Sequence, residues 1–166
     1  MADGHETKRD AGAQPPPLKL SRVFQARRET VFQAWSTAEH IKRWFCPETF
    51  TIPHATVEMR AGGRFEVCMQ SPAGIEHWIR GSFAEVVPQT RLVIDMLITE
   101  RDGKELFRAY TEVSFADAPG GTRLDVVQTY TIIDPAAVWM FEGAAQGWAS
   151  TLDKLEKEVA RIASRR

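Results

Sequence analysis

The feature that most constrains this chain is its last long stretch, Asp134 to Ile162. With successive residues about 100° apart, Ala137, Phe141, Ala144, Ala145, Trp148, Leu152, Leu155, Val159 and Ile162 fall on one stripe. Glu142, Gln146, Asp153, Lys154, Lys157 and Arg161 take the opposite side. Asp134 suits an N-cap and Pro135 the first helical position. Arg161, Arg165 and Arg166 suit the negative end of the helix dipole. The pattern predicts one amphipathic helix, roughly 40 Å long if unbroken. Such a stripe needs a broad apolar partner surface. Trp139 lies opposite the stripe. Either it marks a dimer or partner surface, or the regular helix begins later and Trp139 folds over a cavity mouth. Gly143 and Gly147 lie off the stripe and read as packing glycines.

The residues before the helix supply the partner. Leu18 to Ala26 reads as one strand, bulged where the alternation slips at Arg22-Val23. Arg28 to Trp35 changes to a helical period, with Val31, Phe32 and Trp35 on one face. A second short helix follows from Thr37 or Ala38 to Phe45, capped by Thr37 and ended by Pro47. From His54 to Tyr130 the pattern is strand after strand: Thr56–Arg60, Arg64–Gln70, Ile75–Val87, Thr90–Thr99, Leu106–Phe115 and Thr122–Tyr130. Hairpin-length turns rich in glycine, proline and aspartate separate them. The order is β-αα-β₆-α. This is an α+β arrangement: a curved antiparallel sheet of about seven strands around a long C-terminal helix, with two short helices after strand 1.

Composition narrows the function classes. Hydrophobic content is 43% and charged content 26%, with a formal net charge of −1. No global field points to nucleic acid or anionic membranes. No apolar run is long enough to span a bilayer, so membrane insertion is not expected. Cys46 and Cys68 are too few for a disulfide framework, and the first residues lack the apolar core of a secretory signal. A cytoplasmic protein is expected. Residues 1–17, ending in three prolines, read as a disordered tail, and residues 18–166 as one ligand-binding domain.

Five short motifs, in order, carry a resemblance. They are Val31-Phe32-x-Ala34-Trp35 with Trp44-Phe45, then Arg60-Ala61-Gly62-Gly63-Arg64-Phe65. Gly81-Ser82-Phe83-Ala84-Glu85-Val86-x-Pro88 with Arg91-Leu92-Val93 is next. Gly120-Gly121-Thr122-Arg123-Leu124 and Gly147-Trp148-x-x-x-Leu152-x-x-Leu155 complete the set. From about Leu18 to Ile162 the chain resembles the family named after the Hsp90 ATPase activator's C-terminal domain. That family belongs to the START/Bet v 1-like (SRPBCC) helix-grip superfamily. One departure is Glu58, where many relatives carry an aspartate before the R-x-G-G turn. The resemblance implies a sheet gripping the last helix, with a cavity between them that often takes an apolar ligand. The superfamily spans lipid carriers, polyketide cyclases and aromatases, and co-chaperones, some of them tied to stress responses. Fold alone therefore fixes no chemistry.

His5, His40, His54, His77, Cys46 and Cys68 show no metal-ligand spacing, so neither a metal nor a cofactor is expected. The Gly62-Gly63 and Gly120-Gly121 pairs read as tight turns, since neither opens a helix after a strand. Aromatic and apolar side chains are spread over every element facing the helix. The expected ligand-binding set is Trp35, Trp44, Phe65, Trp78, Met96, Val113, Phe115, Gln128, Tyr130, Phe141, Ala144, Ala145 and Trp148. Gln128 and Tyr130 share the apolar face of the last strand, and Tyr110 and Arg80 are placed at the rim.

The reading is a protein that binds a small hydrophobic or aromatic molecule between sheet and helix, as a possible homodimer and with no catalytic residue assigned. One alternative is a cyclase, aromatase or hydrolase using Tyr130, Gln128, Arg80 or His77. Two of these converging on an enclosed pocket would favour it. A second alternative is a co-chaperone module. Within the last helix, Ala137 to Trp148 is expected to line the cavity and Leu152 to Ile162 to pack as core.

Overall fold

A computed structural model describes residues 14–165. The elements run β1 (Leu18–Phe24), α1 (Arg28–Gln33), α2 (Ala38–Trp44), β2 (Thr51–Val57), β3 (Arg64–Gln70) and β4 (Glu76–Val87). They continue with β5 (Arg91–Glu100), β6 (Glu105–Ala118), β7 (Gly121–Ile132), a 3₁₀ segment (Pro135–Phe141) and α3 (Ala144–Ser164). The seven strands form one sheet in the order β1-β7-β6-β5-β4-β3-β2, antiparallel throughout. It is a meander whose first strand closes on its last. Of the expected tail, residues 1–13 lie outside the described residues. Gln14 runs on from β1 beside β7, its side-chain oxygen accepting the Ile132 N–H at 3.1 Å.

Alternation sets the two faces of the sheet. Phe65 and Val67, Ile79 and Phe83, Leu92 to Ile98, Phe107 to Phe115, and Leu124 to Tyr130 bury every second side chain on the side of α3. α3 buries Leu152, Leu155, Val159 and Ile162 in return. Thr37 caps α2, its hydroxyl accepting the His40 N–H at 3.2 Å. Trp35 and Trp44 meet edge to face at 4.7 Å, and the Trp44 indole donates to the Ala34 carbonyl at 2.9 Å. One ionic staple joins α2 to α3. Glu158, almost fully buried, accepts from Arg161 at 2.7 and 2.8 Å and lies 2.7 Å from His40 Nδ1.

Three expectations need correction. First, β1 has no bulge: Leu18↔Gln128 to Phe24↔Thr122 pair without a slip. Arg22 takes the inward position instead, its stem over the core margin and its head on Asp153 (2.7 Å) and the Ala149 carbonyl (3.4 Å). Val23 faces out. Second, β2 begins earlier, at Thr51, with a register shift before His54 where Pro53 has no N–H to give.

Third, the last helix is not continuous. Asp134 does cap its start, accepting the Ala136 N–H at 3.0 Å. The turns that follow are 3₁₀, and Gly143 then leaves helical geometry at φ −107°, ψ 15°. A glycine costs about 1 kcal/mol relative to alanine inside a helix. The break lets the 3₁₀ segment follow the sheet, where Phe141 packs against Phe107 and Tyr130, both at 4.6 Å.

The Arg60-Ala61-Gly62-Gly63 turn closes β2 onto β3. Gly62 sits at φ +81°, and a side chain at Gly63 would meet the Glu58 carbonyl at 2.1 Å. The Glu58 carboxylate accepts the Arg64 N–H at 2.9 Å, so the longer acid still ties this turn.

Candidate functional site

A cavity of about 210 Å³ lies between one end of the sheet and the start of α3. Its floor comes from alternate inward positions: Ile79 of β4, Met96 and Ile98 of β5, Phe107 and Ala109 of β6, and Gln128 and Tyr130 of β7. Met140 and Phe141 of the 3₁₀ segment form one wall. Ala144, Gly147, Trp148 and Thr151 of α3 form another, and Phe45-Cys46-Pro47 after α2 completes it. A wider hollow of about 640 Å³ beside Arg28 and Asp117 is a polar surface groove.

Gln128, Tyr130 and Trp148 form one network in the cavity with Thr111 behind them. Tyr130 Oη donates to Gln128 Oε1 at 2.8 Å, and Trp148 Nε1 donates to the same oxygen at 3.2 Å. Gln128 Nε2 donates to Thr111 Oγ1 at 2.9 Å, and that hydroxyl donates to the Ala109 carbonyl at 3.3 Å. An indole N–H only donates, so it fixes which end of the Gln128 amide faces α3. Burial pushes the Tyr130 hydroxyl up to about 12, so it stays protonated at neutral pH. No lining side chain is ionic. Cys46 Sγ lies 3.4 Å from the Phe50 carbonyl and 3.2 Å from Lys154 Nζ.

Of the expected site residues, Met96, Gln128, Tyr130, Phe141, Ala144 and Trp148 line the cavity. Trp35, Trp44, Phe65, Val113 and Phe115 do not; they fill the closed end as solid core. Their rings interlock edge to face there, as Trp35 does with Phe115 at 6.4 Å and Phe45 with Phe65 at 5.3 Å. Trp78 is on the other face of the sheet, because Ile79 takes the inward position beside it. It stacks on His54 at 5.9 Å and carries the Arg80 guanidinium at 4.6 Å. Tyr110 and Arg80 likewise point away from the cavity, Tyr110 pairing with Asp95 and Arg80 reaching Thr99. His77 does not line it either; burial lowers its pKa. Ala145 is exposed, about 80° from the centre of the stripe once α3 begins at Ala144.

Gly143 and Gly147, read as packing glycines, line the cavity and keep it open. A side chain at Gly147 would meet only Pro47, at 3.9 Å. Trp139 is 61% exposed and is not part of the lining. Ile98, Phe107 and Ala109 were legible as further members of the inward rows that hold Met96 and Tyr130. Cys46 and Pro47 carried no such signal, because a loop has no period.

Among the described residues, no group of three His, Cys, Asp or Glu side chains gathers to hold a metal. No helix among them is long and apolar enough to cross a membrane.

Several solved structures share this architecture. A protein of Rhizobium leguminosarum described as putative and uncharacterized is 25% identical, with a TM-score of 0.78 over 90% of this chain and 98% of that one. Protein CV1439 of Chromobacterium violaceum is 26% identical, with a TM-score of 0.72 over 86% and 96% of the two chains. The AHSA1 protein of Silicibacter pomeroyi, at 22% identity and a TM-score of 0.72, covers 87% and 98% and shares the fold. Among curated proteins none matches. The family described as Activator of Hsp90 ATPase homolog 1-like protein matches residues 25–160, most of the chain. Sheet order, gripping helix and sequence agree, and the chain belongs to the Activator of Hsp90 ATPase homolog 1-like family.

Proposed function

We propose that this protein binds a small apolar or aromatic molecule in the cavity between β4–β7 and the start of α3. The observation that carries this is a hollow of about 210 Å³ with almost wholly apolar walls, in a molecule whose other layers are filled. Cavities of about 150 Å³ hold benzene, and sites for drug-sized ligands run from about 300 Å³. The size therefore suits one or two rings. The wall is built for access, since Phe141 belongs to a segment joined to α3 through Glu142 and Gly143.

Native mass spectrometry of the protein purified from its own host tests the proposal. A retained mass of one or two rings is expected, lost when Ala144→Phe fills the space. A mass retained equally by that variant places the ligand elsewhere.

The convergence of Tyr130 and Gln128 on the cavity favours one rival, an enzyme that polarises a bound carbonyl. It is the weaker reading. Gln128 does not titrate, burial keeps the Tyr130 hydroxyl protonated at neutral pH, and Arg80 and His77 lie elsewhere.

A further inference from the structure

The direction of the hydrogen bonds in the cavity specifies more than size. Trp148 Nε1–H and the Tyr130 hydroxyl both give their protons to Gln128 Oε1, which occupies its two lone-pair directions. One Gln128 N–H goes to Thr111, which has passed its own proton to Ala109. The Tyr130 oxygen receives nothing among the described residues. The network thus leaves an acceptor at the Tyr130 oxygen and, beside it, one Gln128 N–H without a partner among the described residues. A ligand hydroxyl can donate to the first and accept from the second, and gains on both counts.

Charge decides the rest. None of the lining side chains is ionic. Lys154, which touches two lining residues, gives two of its three protons to Cys46 Sγ (3.2 Å) and the Pro47 carbonyl (3.3 Å). A carboxylate ligand would lose its water and find no cation among the lining side chains in exchange.

We infer that the ligand is a neutral one- or two-ring alcohol or phenol whose hydroxyl donates to Tyr130 Oη. This rests on the cavity being the binding site. Naphthalene, 2-methoxynaphthalene, 2-naphthol and 2-naphthoate keep the same rings and vary only the polar group. Titration of nitrogen-labelled protein by NMR, following the indole N–H signals, compares them.

2-Naphthol is expected to bind about three- to tenfold more tightly than naphthalene, the worth of one net hydrogen bond. 2-Methoxynaphthalene, which can accept but not donate, should bind more weakly than 2-naphthol, and 2-naphthoate should cause no shift at the Trp148 indole. Tyr130→Phe should bring the naphthol-to-ether ratio to about one. Equal binding of naphthol and its methyl ether overturns the donor rule while leaving an apolar binding site. Tightest binding of 2-naphthoate overturns the neutral-ligand rule. If no member of the series moves the Trp148 signal, the cavity itself is rejected as the binding site, and the inference with it.

Discussion

Trp148 Nε1 lies 3.2 Å from Gln128 Oε1, and this bond ties α3 to β7 across the cavity. The oxygen that holds the helix also holds Tyr130. The floor and one wall of the cavity are therefore set by a single amide. Gln128→Leu should strand two buried donors at once, at about 1–3 kcal/mol each. Urea denaturation should show a clear loss of stability and a more mobile Trp148. Thr111→Val, which strands only one Gln128 N–H, should cost less.

Phe141 and Leu155 occupy different parts of the gripping helix region. Phe141 is a cavity wall packed on Phe107 and Tyr130; Leu155 is fully buried core. Leu155→Ala should cost about 2–5 kcal/mol and change ligand affinity little. Phe141→Ala should cost less stability and alter binding more. Thermal unfolding and ligand titration of both variants check this, and equal effects on both measures would refute the division.

Acid should loosen the join between α2 and α3. Burial alone would raise the Glu158 pKa, but hydrogen bonds from Arg161 and His40 outweigh it and hold the group below its ordinary value of 4.5. The unfolded chain then takes up the proton first as pH falls. The stabilisation is complete above about pH 4.5 and is lost as pH drops through the folded-state pKa. Glu158→Gln should flatten this part of the stability profile and cost about 1.5–3 kcal/mol near neutrality, the range for hydrogen bonds to a charged group. Denaturant midpoints measured from pH 3 to 7 would show it.

The two glycines of the Arg60–Arg64 turn should differ in kind. Gly62→Ala meets no atom but must hold a left-handed φ, at about 1–2 kcal/mol. Gly63→Ala drives a methyl into the Glu58 carbonyl, so the turn must open. The second variant should lose substantially more stability in calorimetry.

Cys68 is inert in the folded state. Burial, and then the charge of Glu76, push its thiol up to about 11, and it has no exposed surface. A thiol reagent at pH 8 should label it only in denaturant. Rapid labelling of native protein at this position would contradict the structure.

Much of the fold was legible because alternation in β3 to β7 and the stripe from Leu152 to Ile162 are strong periodic signals. The break at Gly143 was not, since a lone glycine off the stripe reads equally as packing or as interruption. Packing of Phe141 onto Phe107 and Tyr130 tips the balance, and it is a tertiary fact. The cavity was half legible. Gln128, Tyr130 and Trp148 came from face and composition. Trp78 was misplaced because its size spoke louder than its register, although Ile79 beside it fixes the parity. Pro47 and Cys46 depend on where a loop comes to rest, which no period encodes.

The closure of β1 on β7 has a consequence for how the protein is made. Leu18 pairs with Gln128, so the strand synthesised first must wait for nearly the last one. Hairpins from β2 to β7 form between neighbours in sequence, each needing only a short loop to close. During synthesis Leu18, Leu20 and Phe24 stay without a partner while the meander assembles. Nascent chains therefore carry an unpaired N-terminal strand, open to aggregation, until β7 leaves the ribosome and pairs with it.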